Sequence, residues 1–142
     1  MNKDLKKRIT VETIVHAPVS TVWKRWTTPE DIIRWNNASD DWHTPHARND
    51  LREGGEFVYR MEAKDGSMGF DFGGVYNKII PQEFIEYTIG DGRKVEIHFT
   101  GLNSNTKVVE IFEAENENAV KLQHNGWQAI LNNFKNYTES IS

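Results

Sequence analysis

The chain contains no cysteine. Disulfides, thiolate nucleophiles and cysteine-based metal sites are therefore excluded. No apolar run comes near the ~18 residues that a bilayer-crossing helix needs, and the opening residues Met1 to Asp4 lead into no apolar h-region. Neither membrane insertion nor a secretory signal is expected, and the cytoplasm is the expected compartment. A basic excess is also missing, since the net charge is −4 and the pI about 5.7. Nucleic-acid binding leaves a basic footprint, so no nucleic-acid partner is expected. The one basic cluster, Lys3, Lys6, Lys7 and Arg8, reads as a solvated tail over residues 1–7. There is no P-loop, no G-x-G-x-x-G and no G-x-S-x-G. Gly54-Gly55-Glu56-Phe57 matches four letters of a cyclase signature outside the alternating α/β context it requires, and reads as a glycine pair at a strand turn.

What the chain has is a soluble composition, with 37% apolar and 27% charged residues over 142 positions. That length fits one domain, residues 1–142, with a core large enough to need no staples. Aromatics are well supplied: five Trp, four Tyr and seven Phe.

Residues 8 to 16 alternate, with Ile9 and Val11 apolar against Thr10 and Glu12, which predicts a half-buried strand. Ala17-Pro18 ends it. Val19, Val22, Trp23 and Trp26 then share one helical face. Thr28-Pro29-Glu30-Asp31 predicts a second short helix ending near Trp35, with Thr28 as cap, Pro29 at N1 and Asp31 bonding back to the cap. Residues 36–46 read as a polar loop. Strands are expected at about 47–52, 56–63, 67–80, 84–89, 94–101 and 106–115. Asp65-Gly66 predicts a tight hairpin, and Asn103-Ser104-Asn105 a longer turn. Gly73-Gly74 predicts a bulge or bend. Meander connections make the sheet antiparallel. From Ala119 to about Glu139, capped by Asn118, the positions Val120, His124, Trp127, Ile130/Leu131, Phe134 and Thr138 mark one long amphipathic helix lying across that sheet. Gly126 inside it needs compensation, either a close approach to the sheet or a bend that opens room beneath. The order is β-α-α-β6-α, an α+β fold with a curved sheet gripping a C-terminal helix.

Several stretches in this order resemble a known group. They are Ala17-Pro18 with Val22-Trp23; Thr28-Pro29-Glu30 and Trp35; Asp50-Leu51-Arg52 before Gly54-Gly55; Gly74-Val75-Tyr76 to Ile80-Pro81; and Phe112-Glu113-Ala114-Glu115 with Gly126-Trp127-Gln128. Over residues 8 to 139 the chain is similar to the START-like (SRPBCC) superfamily, with its helix-grip, birch-pollen-allergen-like fold. Within it the chain resembles the group named after the activator of the heat shock protein 90 ATPase. The resemblance implies a cavity between sheet and helix for an apolar or aromatic molecule such as a lipid, polyketide or flavonoid-like compound. It also leaves two alternatives: a cyclase- or hydrolase-type enzyme on an aromatic substrate, and an interaction module with a chaperone partner. The activator's N-terminal chaperone-binding domain has no counterpart in this chain.

The candidate lining is aromatic. Phe57, Tyr59 and Met61 share one strand face, and Phe70 and Phe72 share one on the next. Trp35, Trp42, Tyr76, Tyr87, Trp127 and Leu131 complete the set. Core packing alone and a wall shared between core and pocket are both open for these residues. No cofactor and no metal is expected. His43 and His46 are separated by Pro45, so they cannot stack at helical spacing and read as part of a polar loop. His98 shares a face with Glu96 and Thr100 and is expected in solvent. Parity does not decide which of Glu110, Glu113 and Glu115 points inward, and Asp71 is equally open. An inward carboxylate in an apolar pocket would have a raised pKa and acid–base capacity.

Overall fold

The computed structural model describes residues 7–141. Lys3 and Lys6 of the expected tail lie outside these, and the Lys7 carbonyl already accepts a hydrogen bond from the Ala114 N–H. The order of elements is β1 (Arg8–Val15), α1 (Val19–Thr27), α2 (Pro29–Trp35), β2 (Trp42–Asn49), β3 (Glu56–Ala63), β4 (Gly69–Ile80), β5 (Phe84–Ile89), β6 (Lys94–Leu102), β7 (Asn105–Glu113) and α3 (Val120–Ile141). The strands form one antiparallel sheet in the order β1-β7-β6-β5-β4-β3-β2. The α+β helix-grip expectation is met.

The inner face follows the period-2 pattern. Ile9, Val11 and Val15 of β1 are buried, as are Val95, Ile97 and Phe99 of β6. His98 lies on the other face, 3.1 Å from the Glu96 carboxylate and against the Phe84 ring. The short helices close one end of the sheet. Val22 and Trp26 of α1 are buried, as are Ile32 and Trp35 of α2. Their aromatics interlock with α3, for Trp26 and Trp35 sit 4.8 and 5.0 Å from Phe134.

The third helix docks along the edge strand β1. Gln128 donates to the Glu12 carbonyl, Lys135 to the Ile14 carbonyl, and Glu139 accepts from the His16 N–H. Its 22 residues run about 33 Å at ~1.5 Å per residue. Leu131, Phe134 and Thr138 are its buried positions, with Gln123 one turn before Trp127. The expected stripe thins at its start, where Val120 is 40% exposed.

Local expectations needed correction in several places. Residues 42–46 belong to β2 rather than to a loop. Pro45 is tolerated there because β2 is an edge strand with a register shift between His43 and His46. The expected strand at 47–52 accordingly ends at Asn49. Thr28 does not cap α2 with its side chain; its hydroxyl donates to the Lys24 carbonyl, and Asp31 turns to Tyr137 and Arg25. The first amide of the α3 ladder, from Gln123, bonds the Ala119 carbonyl, and the Asn118 side chain is held by Glu115. The two hairpins exchange roles. Leu102 pairs with Asn105 across a two-residue turn, with Asn103 at φ 60°, whereas Asp65-Gly66 lies in a wider loop closed by Ala63 and Met68.

Gly73 and Gly74 do not form the bulge, which falls at Asn77. They permit close backbone approach instead. A Cβ on Gly74 would stand 2.3 Å from the Thr88 carbonyl oxygen. Of the two compensations open at Gly126, the close approach of helix to sheet is absent, since a Cβ there meets nothing within 4 Å.

Candidate functional site

Docking of α3 against β1 leaves a space between that helix and the β3–β5 side of the sheet. A cavity of about 180 Å³ occupies it. This is comparable with the roughly 150 Å³ apolar cavities that stay dry and admit benzene. The sheet supplies Tyr59 and Met61 of β3, Phe70, Phe72 and Tyr76 of β4, and Ile85 and Tyr87 of β5. Trp127 and Ile130 of α3 face them. Trp26, Trp35 and Asn36 close the end beneath the short helices, and Glu110 of β7 forms part of the floor.

Eight of the eleven residues expected to line a pocket thus meet at this cavity: Trp35, Tyr59, Met61, Phe70, Phe72, Tyr76, Tyr87 and Trp127. Three do not. Phe57 is 1% exposed and backs the wall, with its ring 4.7 Å from Tyr87 and 5.3 Å from Tyr76. Trp42 stands outside, its ring 6.0 Å from the half-exposed Phe70. Leu131 points into the core, because on α3 the residue three after Trp127, Ile130, faces the cavity and the residue four after it does not. The sequence reading missed Trp26, Asn36, Ile85 and Ile130, and left Glu110 undecided.

Several polar tips around the cavity are already engaged. The Trp35 indole N–H donates to the Arg25 carbonyl at 3.1 Å. Tyr76 donates to Asn49 at 2.6 Å, and the Asn36 amide reaches Thr44 at 3.3 Å. Glu110 is not. It is 5% exposed, and it makes no hydrogen bond or ion pair among the described residues. Its backbone position explains its surroundings. Glu110 pairs with Val11 on one side and Ile97 on the other, and Ile97 pairs with Ile85. A carboxyl therefore sits in a transverse row of aliphatic side chains. Burial pushes its pKa up to about 8 from an ordinary value near 4.5. Burial, with Glu110 nearby, also drives the hydroxyls of Tyr59 and Tyr87 well above 10, so both are neutral. Among the described residues the lining carries no Lys, Arg or His.

A signal for the inward glutamate existed. Positions 107 and 113 of β7, Lys107 and Glu113, carry two charges on the face that holds Val109 and Ile111, whereas Glu110 is the single charge among Thr106, Val108 and Phe112. Asp71 faces outward, 3.5 Å from Arg60. His43 lies 3.9 Å from Glu62, and no group of three or more His, Asp or Glu side chains able to hold a metal occurs among the described residues. No helix among them is long and apolar enough to cross a membrane.

Known proteins repeat this architecture. Residues 16–139 match the family model described as Activator of Hsp90 ATPase homolog 1-like protein. The chain is 41% identical to an AHSA1-like protein from Aeromonas hydrophila, over 95% of this chain and 94% of that one, with a TM-score of 0.89. A Cytophaga hutchinsonii protein of known solution structure is 54% identical, over 94% and 93%, with a TM-score of 0.82. A Nitrosomonas europaea protein, 20% identical over 97% of both chains with a TM-score of 0.82, shares the fold. No curated protein matches the chain.

Proposed function

The chain belongs to the Activator of Hsp90 ATPase homolog 1-like family, whose fold is one known for ligand binding, and on that premise we propose that it is a binding protein for a small, largely apolar or aromatic molecule. The ligand occupies the space between α3 and the β3–β5 side of the sheet. The observation that carries this reading is the cavity itself, walled mainly by aromatic and aliphatic side chains with a buried carboxyl, Glu110, among them. Concave, mostly apolar sites with a few placed polar groups are the common form of small-molecule pockets. The volume favours a compact ring system over a long lipid chain lying wholly inside. The whole chain acts as one domain, and its proposed setting is the cytoplasm, in keeping with the lack of cysteine.

The test is a titration of 15N-labelled protein with a library of aromatic metabolites and lipid-like compounds. Shifts concentrated at Tyr59, Phe72, Tyr87 and Trp127, at micromolar affinity of about −8 kcal/mol, support the reading. No shifts at these positions, together with binding and stimulation of a chaperone ATPase, would replace it with an interaction module. Glu110 favours a second reading, acid–base catalysis on an aromatic substrate, which requires that the ligand recovered from the titration be chemically altered.

A further inference from the structure

Glu110 breaks the pattern of its own strand, and no packing requirement explains it. A leucine would complete the row formed by Val11, Ile97 and Ile85. The carboxyl is instead held nine-tenths buried at the cavity wall with no partner among the described residues. Leaving a buried carboxyl unpaired is costly, whichever protonation state it adopts. Such a departure from local consistency points to a site at which something else completes the interaction.

The chemistry of that partner follows from the rest of the lining. Among the described residues no cationic side chain lines the cavity, and Arg93, whose charge acts on Tyr87, is paired with Asp91 outside it, so an anionic ligand would face Glu110 with no counter-charge in the lining. The walls are aromatic across three neighbouring strands, Tyr59 from β3, Phe72 and Tyr76 from β4, and Tyr87 from β5, with Trp127 opposite on α3. Aromatic faces attract a cation through their quadrupoles, more strongly where water is excluded. An acid set among aromatic faces is a receptor for a cation that carries its own apolar body.

We propose that the cavity selects an aromatic or compact apolar amine, with the ligand's ammonium group paired to Glu110 and its ring against Tyr87, Phe72 and Trp127. The proposal rests on the cavity reading above and names the ligand class for the same site. Its proton balance is simple. Below its raised pKa the empty site holds a neutral carboxylic acid. When the ammonium ion enters, the carboxyl proton leaves to solvent and a carboxylate–ammonium pair remains, so the cavity stays neutral overall. Burial, which raises the carboxyl to about 8, is offset when a cation arrives. The titratable groups facing Glu110 are Tyr59 and Tyr87, both held neutral. The flanking strands β1 and β6 present Val11 and Ile97, and α3 presents Trp127 and Ile130. None of these competes for the proton.

Three probes of similar size separate the possibilities: 2-phenylethylamine, 2-phenylethanol and 3-phenylpropionate, titrated calorimetrically near pH 8. The amine is expected to bind about tenfold or more tightly than the alcohol, and the carboxylate least of all. Its affinity should fall about tenfold per pH unit below the carboxyl pKa, while the alcohol's stays flat. Glu110→Gln should bring the amine down to the level of the alcohol and leave the alcohol within about twofold. If the alcohol binds as tightly as the amine, or if Glu110→Gln keeps the amine preference, the amine proposal falls and the cavity reading stands. If no probe binds and no cavity resonance shifts, both fall. Should Glu110→Gln fail to fold, the pH profile of amine binding by the unaltered protein decides the matter alone.

Discussion

Trp127 lies flat on Phe112, the ring centroids 3.9 Å apart and the planes 12° from parallel. One ring belongs to α3 and the other to β7, two residues from Glu110. Phe112 is 1% exposed and pairs with Val95, which pairs with Tyr87. The stack therefore fixes the helix against the part of the sheet that carries the cavity floor. The edge of Trp127 meets Phe72 at 6.2 Å, so the same indole also forms a wall.

Trp127→Ala should consequently cost less than the ~3–5 kcal/mol of a fully buried tryptophan, because part of its surface already faces empty space. Loss of the stack accounts for about 0.5–1.5 kcal/mol of the change. The enlarged cavity should accept bulkier ligands and release small ones faster. Urea denaturation and ligand off-rates check both parts. A loss at the top of the core range with unchanged ligand kinetics would move the site away from Trp127.

Gly126 precedes that tryptophan with ordinary helical geometry and open space where a side chain would begin. Gly126→Ala removes unfolded-state freedom and clashes with nothing. It should stabilise the protein by about 0.5–1 kcal/mol, seen as a higher urea midpoint at unchanged slope.

Gly74→Ala should do the opposite. Its Cβ would stand 2.3 Å from the Thr88 carbonyl oxygen, a backbone atom that cannot swing aside. The β4–β5 ladder must open locally, at a cost of about 2–3 kcal/mol. Gly90→Ala is the control, because its Cβ has free space and its φ is not left-handed. Equal melting temperatures for the two variants would contradict the close approach.

Much of this arrangement was legible in the sequence because it rests on periodicity. The inward positions of β1, β6 and β3 follow from alternation, and α1 from its 3.6-residue spacing. Elements failed where a strand lacked the half-apolar alternation of a covered one. The polar run 36–46 read as a loop, although an edge strand can be polar and, at a register shift, accepts Pro45. Turn chemistry misled in a similar way. Asp65-Gly66 is a strong tight-turn pair, yet the two-residue turn fell at Asn103-Ser104, where Asn103 takes the left-handed conformation that closes Leu102 onto Asn105.

The site was legible as an aromatic set but not as a surface. Residue type could not separate Phe57, which backs the wall, from Tyr59, which forms it. Both face inward, and only the position of α3 over the sheet decides which is left uncovered. The same applies to Ile130 and Leu131. The position of α3 along β1 is marked by Gln128 and Lys135 bonding to strand carbonyls, contacts that have no signature in hydrophobic spacing.

Glu110 gives the sharpest test of the interior. Its folded pKa, about 8, lies above the ordinary value near 4.5 expected of the unfolded chain. Between these values the folded state binds the proton and the unfolded state does not. Stability must then fall as pH rises, by up to about 1.4 kcal/mol per unit and about 4–5 kcal/mol across the window, and level off above it. Tyr59 and Tyr87, the titratable groups that face it, stay protonated throughout this range. Carboxylates lowered by partners act at the acid end with the opposite sign. Glu62, held down by Arg60, and Asp65, held down by Ser67, lose their contribution as pH falls through their folded pKa values. Glu110→Gln carries no such titration. Its stability relative to the parent should therefore grow between about pH 4.5 and 8 and be constant beyond. Urea unfolding of both proteins at steps of pH reads the difference directly. A difference that is flat across that window would mean that the carboxyl is solvated in the folded protein.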